Sequence, residues 1–280
     1  MELSGFLRGR ALRKTLHRLL FSFALLLVAV APLGAEGPKP KLGPHAIPIQ
    51  QSREYFRTND ASDYWALSPY YVPQASNSAC SLAAVAMLVN ALKGLPAFAH
   101  ESLLTQPALR DAVGSTWASK TAEGGDGVTW EEFKQFLRLA LQAFALDGQI
   151  ETFKPPDTSQ VSLDELRRLL SENERSDDDI ALIYFNQGVI TGDWDGPHLS
   201  PIGAYDAERS RVLVMDVDRQ FYGPYWTSDE KLLEALVRPA PAGHGALAGE
   251  TGGVVRVTVR RANTPSATDS TRKHDGTQAR

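Results

Sequence analysis

The chain has 280 residues, with 33 acidic against 29 basic side chains, a formal charge of −4 and a single cysteine. A mildly acidic balance argues against nucleic acid or an anionic membrane surface as the partner. One cysteine excludes an internal disulfide, and one cysteine with scattered histidines excludes a clustered Cys/His metal site.

Residues 1–18 carry Arg8, Arg10, Arg13, Lys14 and Arg18 against one acid, Glu2, and the apolar run "LLFSFALLLVAVAPLGA" follows. This is the layout of a secretory signal, with a cut expected after Ala35, and 1–35 is assigned to it. The alternative is an uncleaved anchor, but the run is short for a spanning helix and ends in Pro and Gly. Cleavage takes the net charge to about −8 and leaves about 245 residues, enough for one sizeable domain or two small ones. The expectation is an exported, periplasmic protein with no stable membrane insertion after cleavage. An unpaired thiol in an oxidising compartment then needs a chemical reason.

Residues 36–51 contain four prolines and read as an extended lead-in. In "PQASNSACSLAAVAMLVNAL" a polar run meets Cys80, and a helix free of Gly and Pro follows. A lone Cys often packs as a small hydrophobe. At a helix N-terminus it is also a candidate nucleophile, because the dipole and free N–H groups favour thiolate. "HESLLTQPALRDAV" predicts one or two short helices interrupted by Pro107. Thr129 three residues before Glu132 forms a capping box ahead of an amphipathic helix, and Ser162 with Glu165 repeats the pattern. Asp179–Gly188, His198–Asp206 and Arg211–Asp218 read as strands, the last two as an antiparallel hairpin; Thr227–Arg238 reads as a capped helix and Gly252–Ala262 as a final strand. Helices first and an antiparallel sheet second predict an α+β fold over 52–262, with 263–280 as a polar, disordered tail.

Of six histidines, only His198 begins an apolar strand; His100 is read as opening a helix and His244 as lying in a loop. A lone His there is often structural. Asp216, however, interrupts "VLVMDV", where an isolated carboxylate is costly to bury without a partner. The hairpin brings its strand alongside that of His198. A carboxylate holding an imidazole that in turn deprotonates a thiol is the generalised triad, here Cys80, His198 and Asp216.

The stretch "FNQGVITGDWDGPHLSPIGAYDAERSRVLVMDVDRQFYGPYW" resembles the catalytic domain of phytochelatin synthases, a papain-like group. The eighteen residues from His198 to Asp216, Gln74 six before Cys80, "GVTWEEF" and Cys80-Ser81-Leu82-Ala83 carry the resemblance, over about Tyr70 to Leu236. It implies a papain-like fold with an N-terminal helical lobe bearing the Cys and a C-terminal antiparallel sheet bearing His and Asp. Cys80 is then the nucleophile, His198 the general base and acid, Asp216 its orienter, and Gln74 an oxyanion donor. The implied substrate is glutathione, cleaved to release Gly and leave a γ-glutamylcysteinyl thioester. Arg219 and Tyr222 fall in the region associated with a second substrate, and Gln187 stands where the family has Arg. No cofactor is required, and metals such as cadmium act through thiolate complexes of the substrate.

Departures are Ser81 and Pro197 in place of family glycines, the Gln187-Gly188 pair, and a divergent Leu236–Gly253 segment. They make hydrolysis the expected outcome over phytochelatin synthesis. They leave open a papain-like peptidase for another small or γ-glutamyl peptide, and a non-catalytic thiol or metal-binding scaffold. A homodimer is also left open. N-terminal sequencing of protein recovered from the producing cell should begin near Glu36; intact Met1 in the cytosolic fraction would refute export.

Overall fold

The structure, a computed structural model, describes residues 40–259. The expected signal and tail therefore lie outside the described residues. The described residues from Lys41 onward form one compact unit. The proline-rich lead-in is not wholly a linker: Ile47–Pro48 (β1) adds to the sheet edge and Ala46 is buried.

Two short helices, Tyr55–Thr58 (α1) and Ser62–Leu67 (α2), precede Cys80–Lys93 (α3). Every residue from Ser81 to Ala91 is buried. A helix that is apolar all round has to be central, and its alanines let it lie closely against the middle of the sheet. Gln106–Val113 (α4), Ser115–Thr121 (α5) and Trp130–Ala143 (α6) complete this layer. The Thr129/Glu132 capping box is formed. Pro107 sits in the first turn of α4 and interrupts nothing, since its missing N–H is an orphan there anyway. His100 lies in a turn and opens no helix.

The strands are Gly148–Phe153 (β2), Asp179–Asn186 (β3), Pro197–Asp206 (β4), Arg211–Val214 (β5), Tyr225–Ser228 (β6) and Gly253–Val259 (β7). They form one sheet in the order β1-β6-β5-β4-β3-β7-β2, with every pairing antiparallel. The other helices are Gln160–Glu174 (α7), Gln187–Thr191 (α8) and Asp229–Val237 (α9). Helix α7 is capped by Ser159, not by Ser162, and α9 starts after Ser228 because Thr227 remains in β6.

All of β3 and β4 is buried. Alternation along β3 explains this: Ile180, Leu182 and Tyr184 pack with α3 and α6, while Ala181, Ile183 and Phe185 pack with α7 and α9. The sheet is therefore covered on both faces, so the helices are not gathered into one N-terminal lobe. The α+β class holds.

Asp229, fully buried at the start of α9, accepts from Arg167 Nε at 2.7 Å, Arg167 Nη2 at 3.1 Å and the Tyr205 hydroxyl at 2.9 Å. It ties α7, α9 and β4 together. Asp229→Ala strands the guanidinium and the phenol, and should cost about 2–4 kcal/mol in denaturant unfolding. A cost under about 0.5 kcal/mol, the level expected of an exposed pair, would contradict that role.

Candidate active site

Cys80 is the first residue of α3, and no side chain caps that helix start: the preceding Ala79 offers none. The first N–H groups of the helix are thus free of side-chain partners beside the sulfur. His198 is the second residue of β4, paired with Phe185 of β3, whose ring meets the imidazole edge-on at 5.7 Å. His198 Nε2 lies 2.9 Å from Asp216 Oδ1. Cys80 lines the same two cavities as His198, and it adds to the forces that favour the charged ring. With Nε2 engaged by Asp216, Nδ1 is the nitrogen left for the sulfur.

Asp216 does not sit within a strand as the pattern predicted. Strand β5 ends at Val214, and the chain turns across the end of the sheet. The carboxylate is fully buried there, and its four acceptor directions are all used. Oδ1 takes His198 and the Asp218 N–H at 2.9 Å. Oδ2 takes Gln187 Nε2 at 2.9 Å and the Tyr225 hydroxyl at 2.9 Å. Tyr71 donates to the Asp216 carbonyl from the other side. Burial alone would raise the Asp216 pKa, but the charge of His198 and these donors outweigh it and hold the group ionised below its usual range. Burial likewise disfavours the imidazolium, yet Asp216, followed by Cys80, overcomes this and lifts His198 from 6.5 to about 10.

Two cavities meet at Cys80. The larger, about 440 Å³, lies between Gln74, Cys80, His198, Asp193, Asp218 and Tyr222, among others. The smaller, about 230 Å³, is walled by the Gly125–Val128 loop, Tyr184, Trp194, His244 and Leu247. Gln74 lines the larger cavity beside the thiol, with its backbone N–H anchored on Val217 O at 2.8 Å. Gln74 Oε1 is buried and has no hydrogen-bond partner among the described residues.

The residues expected to bind substrate divide. Tyr222 lines the larger cavity, and its hydroxyl donates to Asp193 Oδ2 at 2.6 Å. Arg219 is not among the residues lining it: its guanidinium stacks on Tyr71 at 4.4 Å and Nη1 donates to Tyr71 O. Gln187 reaches the cavity wall, but its amide N–H is engaged by Asp216, so it acts on the carboxylate. The Ser81 departure is absorbed structurally, since Oγ accepts from Trp117 Nε1 at 2.9 Å. Sequence reasoning passed over Tyr225, Asp193 and His244. The divergent Leu236–Gly253 segment gave the signal for His244: it contributes a wall of the smaller cavity, with His244 Nε2 fixed on Asp195 O at 2.8 Å.

The phytochelatin synthase family model matches residues 45–243, most of the described unit. The chain belongs to the phytochelatin synthase family. It is 27% identical over 181 residues to glutathione gamma-glutamylcysteinyltransferase 1 of Arabidopsis thaliana, covering 62% of this chain and 33% of that protein. It is 25% identical over 191 residues to glutathione gamma-glutamylcysteinyltransferase 1 of Lotus japonicus (65% and 34%). Against the glutathione gamma-glutamylcysteinyltransferase of Schizosaccharomyces pombe it is 26% identical over 177 residues (62% and 39%). This family member thus spans about a third of the length of the curated relatives it matches. No described helix is long and apolar enough to cross a membrane.

The two shifts have opposite signs for stability. The raised His198 contributes fully below its ordinary 6.5 and loses its contribution as pH climbs through about 10. The depressed Asp216 contributes above the ordinary carboxylate range and loses its contribution on acidification. In Asp216→Asn protein, burial acts against the imidazolium without the carboxylate to oppose it. The ring protons of His198 in NMR should then titrate below about 8. A ring still titrating near 10 would show that Asp216 does not set its charge.

Proposed function

We propose that this protein is a papain-like thiol enzyme that removes glycine from glutathione through a thioester on Cys80, and that it hydrolyses this thioester more often than it forms phytochelatin. The observation that carries the reading is an imidazole held by a buried, fully hydrogen-bonded carboxylate and lining, with the only thiol, the place where two cavities meet. Family membership supports glutathione as the substrate.

The Cys80 sulfur, its proton held by His198, attacks the Cys–Gly carbonyl carbon. The carbonyl oxygen becomes an oxyanion facing the N-terminus of α3 and Gln74. Collapse breaks the C–N bond, His198 hands its proton to the departing glycine amine, and a γ-glutamylcysteinyl thioester remains. Water deprotonated by His198 then gives γ-glutamylcysteine and restores the thiol. Attack by the α-amine of a second glutathione instead gives phytochelatin and restores the same thiol. Asp216 keeps the ring in one orientation and stabilises its charged form throughout.

Transfer requires a second peptide held in position against the thioester. Arg219 is engaged by Tyr71 and Tyr222 by Asp193, which supports a weakly defined acceptor site. Water needs none. Cadmium enters this scheme as a thiolate complex of the substrate, and the protein needs no cofactor. The signal-like leader supports action outside the cytosol.

Mass-spectrometric product analysis over millimolar glutathione, with and without cadmium, should show γ-glutamylcysteine exceeding phytochelatin. Phytochelatin as the main product throughout would overturn the preference. No turnover of glutathione would move the assignment to another γ-glutamyl peptide. Gln74→Ala should lower kcat by about 10²–10³-fold, the usual cost of one oxyanion donor; an unchanged kcat would remove it from that role.

A further inference from the structure

The larger cavity presents two carboxylates, Asp193 and Asp218, and the described residues lining it include no Arg or Lys. A peptide substrate that carries free carboxylates would meet repulsion there unless a cation stood at the rim. Arg219, the basic residue nearest in sequence, is turned onto Tyr71. The cation that stands against two of its lining rings, though not itself a lining residue, is Lys41. It comes from the lead-in, upstream of the residues that the family model matches.

Lys41 Nζ stands 4.8 Å from the ring centroid of Phe221 and 5.4 Å from that of Tyr222, and both rings line the cavity. Its charge also acts on Asp218. Among the described residues Lys41 makes no ion pair, and ring faces do not use up its three N–H donors. The segment is held in place by its backbone. Gly43 N donates to Thr191 O at 2.8 Å, and a Cβ at Gly43 would lie 2.6 Å from that oxygen, so the close approach requires glycine. Leu42 packs on the core beneath. Thr191 leads through Gly192 into Asp193, so the lead-in is clamped to the loop that carries one of the cavity carboxylates.

An ammonium against the Phe221/Tyr222 wall and carboxylates on the cavity lining match a free amino-acid end, which carries an α-carboxylate and an α-ammonium on one carbon. A ligand offering only carboxylates would be repelled by Asp193 and Asp218, and one offering only an ammonium would have no use for Lys41. We propose that Lys41 is the carboxylate anchor of this cleft, receiving the α-carboxylate of the substrate's free amino-acid end while Asp218 faces its α-ammonium. This rests on the reading that the cleft takes glutathione, whose γ-glutamyl residue is such an end. Lys41 is a specificity-determining residue here and takes no part in bond making.

The test uses glutathione, glutathione amidated at the γ-glutamyl α-carboxylate, and glutathione esterified at glycine. For wild-type protein, Lys41→Ala should raise KM for glutathione about five- to tenfold with kcat nearly unchanged, the pattern of lost uniform binding. Lys41→Glu should raise it further, Lys41→Arg should restore it, and added salt should shrink the difference. Amidation of the γ-glutamyl carboxylate should weaken wild type by the same factor and leave Lys41→Ala indifferent; the glycine ester should not. Equal KM in wild type and Lys41→Ala, or coupling to the glycine carboxylate alone, would overturn the assignment.

Calorimetric binding to Cys80→Ala protein, with and without Lys41→Ala, separates this claim from the reaction. Lys41-dependent binding without turnover by wild type would keep the anchor and remove the proposed reaction. Turnover that is indifferent to Lys41 would do the reverse. Absence of both binding and turnover would remove both.

Discussion

The site depends on keeping one carboxylate ionised in the absence of water. Asp216 is fully buried, and a bare carboxylate there would neutralise itself by taking a proton. It stays charged because four donors from four parts of the chain converge on it: His198 from β4, Gln187 from α8, Tyr225 from β6 and its own neighbour Asp218. The sheet places His198 and Tyr225, a short helix places Gln187, and the turn after β5 places the Asp218 N–H. The ionised carboxylate then makes the His198 charge affordable inside the protein, and His198 in turn is available to the thiol.

The same constraint explains the architecture around it. A sheet covered on both faces has α3 against one face and α7 and α9 against the other, and the site lies at its end. The close-packed, alanine-rich α3 starts where β4 begins, so Cys80 and His198 line the same two cavities. On this frame the loops vary. The Gly125–Val128 and Ala242–Leu247 segments shape the smaller cavity, while the lead-in and the Thr191–Asp193 turn shape the larger one.

Much of this is legible in local sequence. The break from a polar run to an unbroken apolar helix marks Cys80, the Thr129/Glu132 spacing marks the start of α6, and the "AERS" turn marks the β4–β5 hairpin. The acidic residue in an apolar run required partners, and it has them. What stayed hidden has non-local causes. Nothing near Gln187 in the chain indicates that its amide N–H is directed at Asp216, 29 residues away, and Tyr225 gives no local sign that its hydroxyl does the same. Asp216 is expected within a strand because "VLVMDV" is a short apolar run that it alone interrupts. The ladder ends at Val214, because a carboxylate needing a backbone donor two residues on is better served by a turn. Strand β2 escapes a local reading because it pairs on one side only, has no fully buried position, and mixes Gln149, Glu151 and Thr152 with its two apolar side chains. Arg219 was read from its neighbours in the motif, and only the fold shows that Tyr71 takes its guanidinium.

The central claim is that the Asp216-held His198 makes Cys80 the nucleophile. Acid-quenched protein incubated with glutathione, digested and mapped by mass spectrometry, tests it most directly. The account predicts a γ-glutamylcysteinyl group on Cys80 in wild type, formed much more slowly in Asp216→Asn protein that keeps its fold. An acyl group on any other residue, or equally fast acylation of the Asn variant, would contradict it.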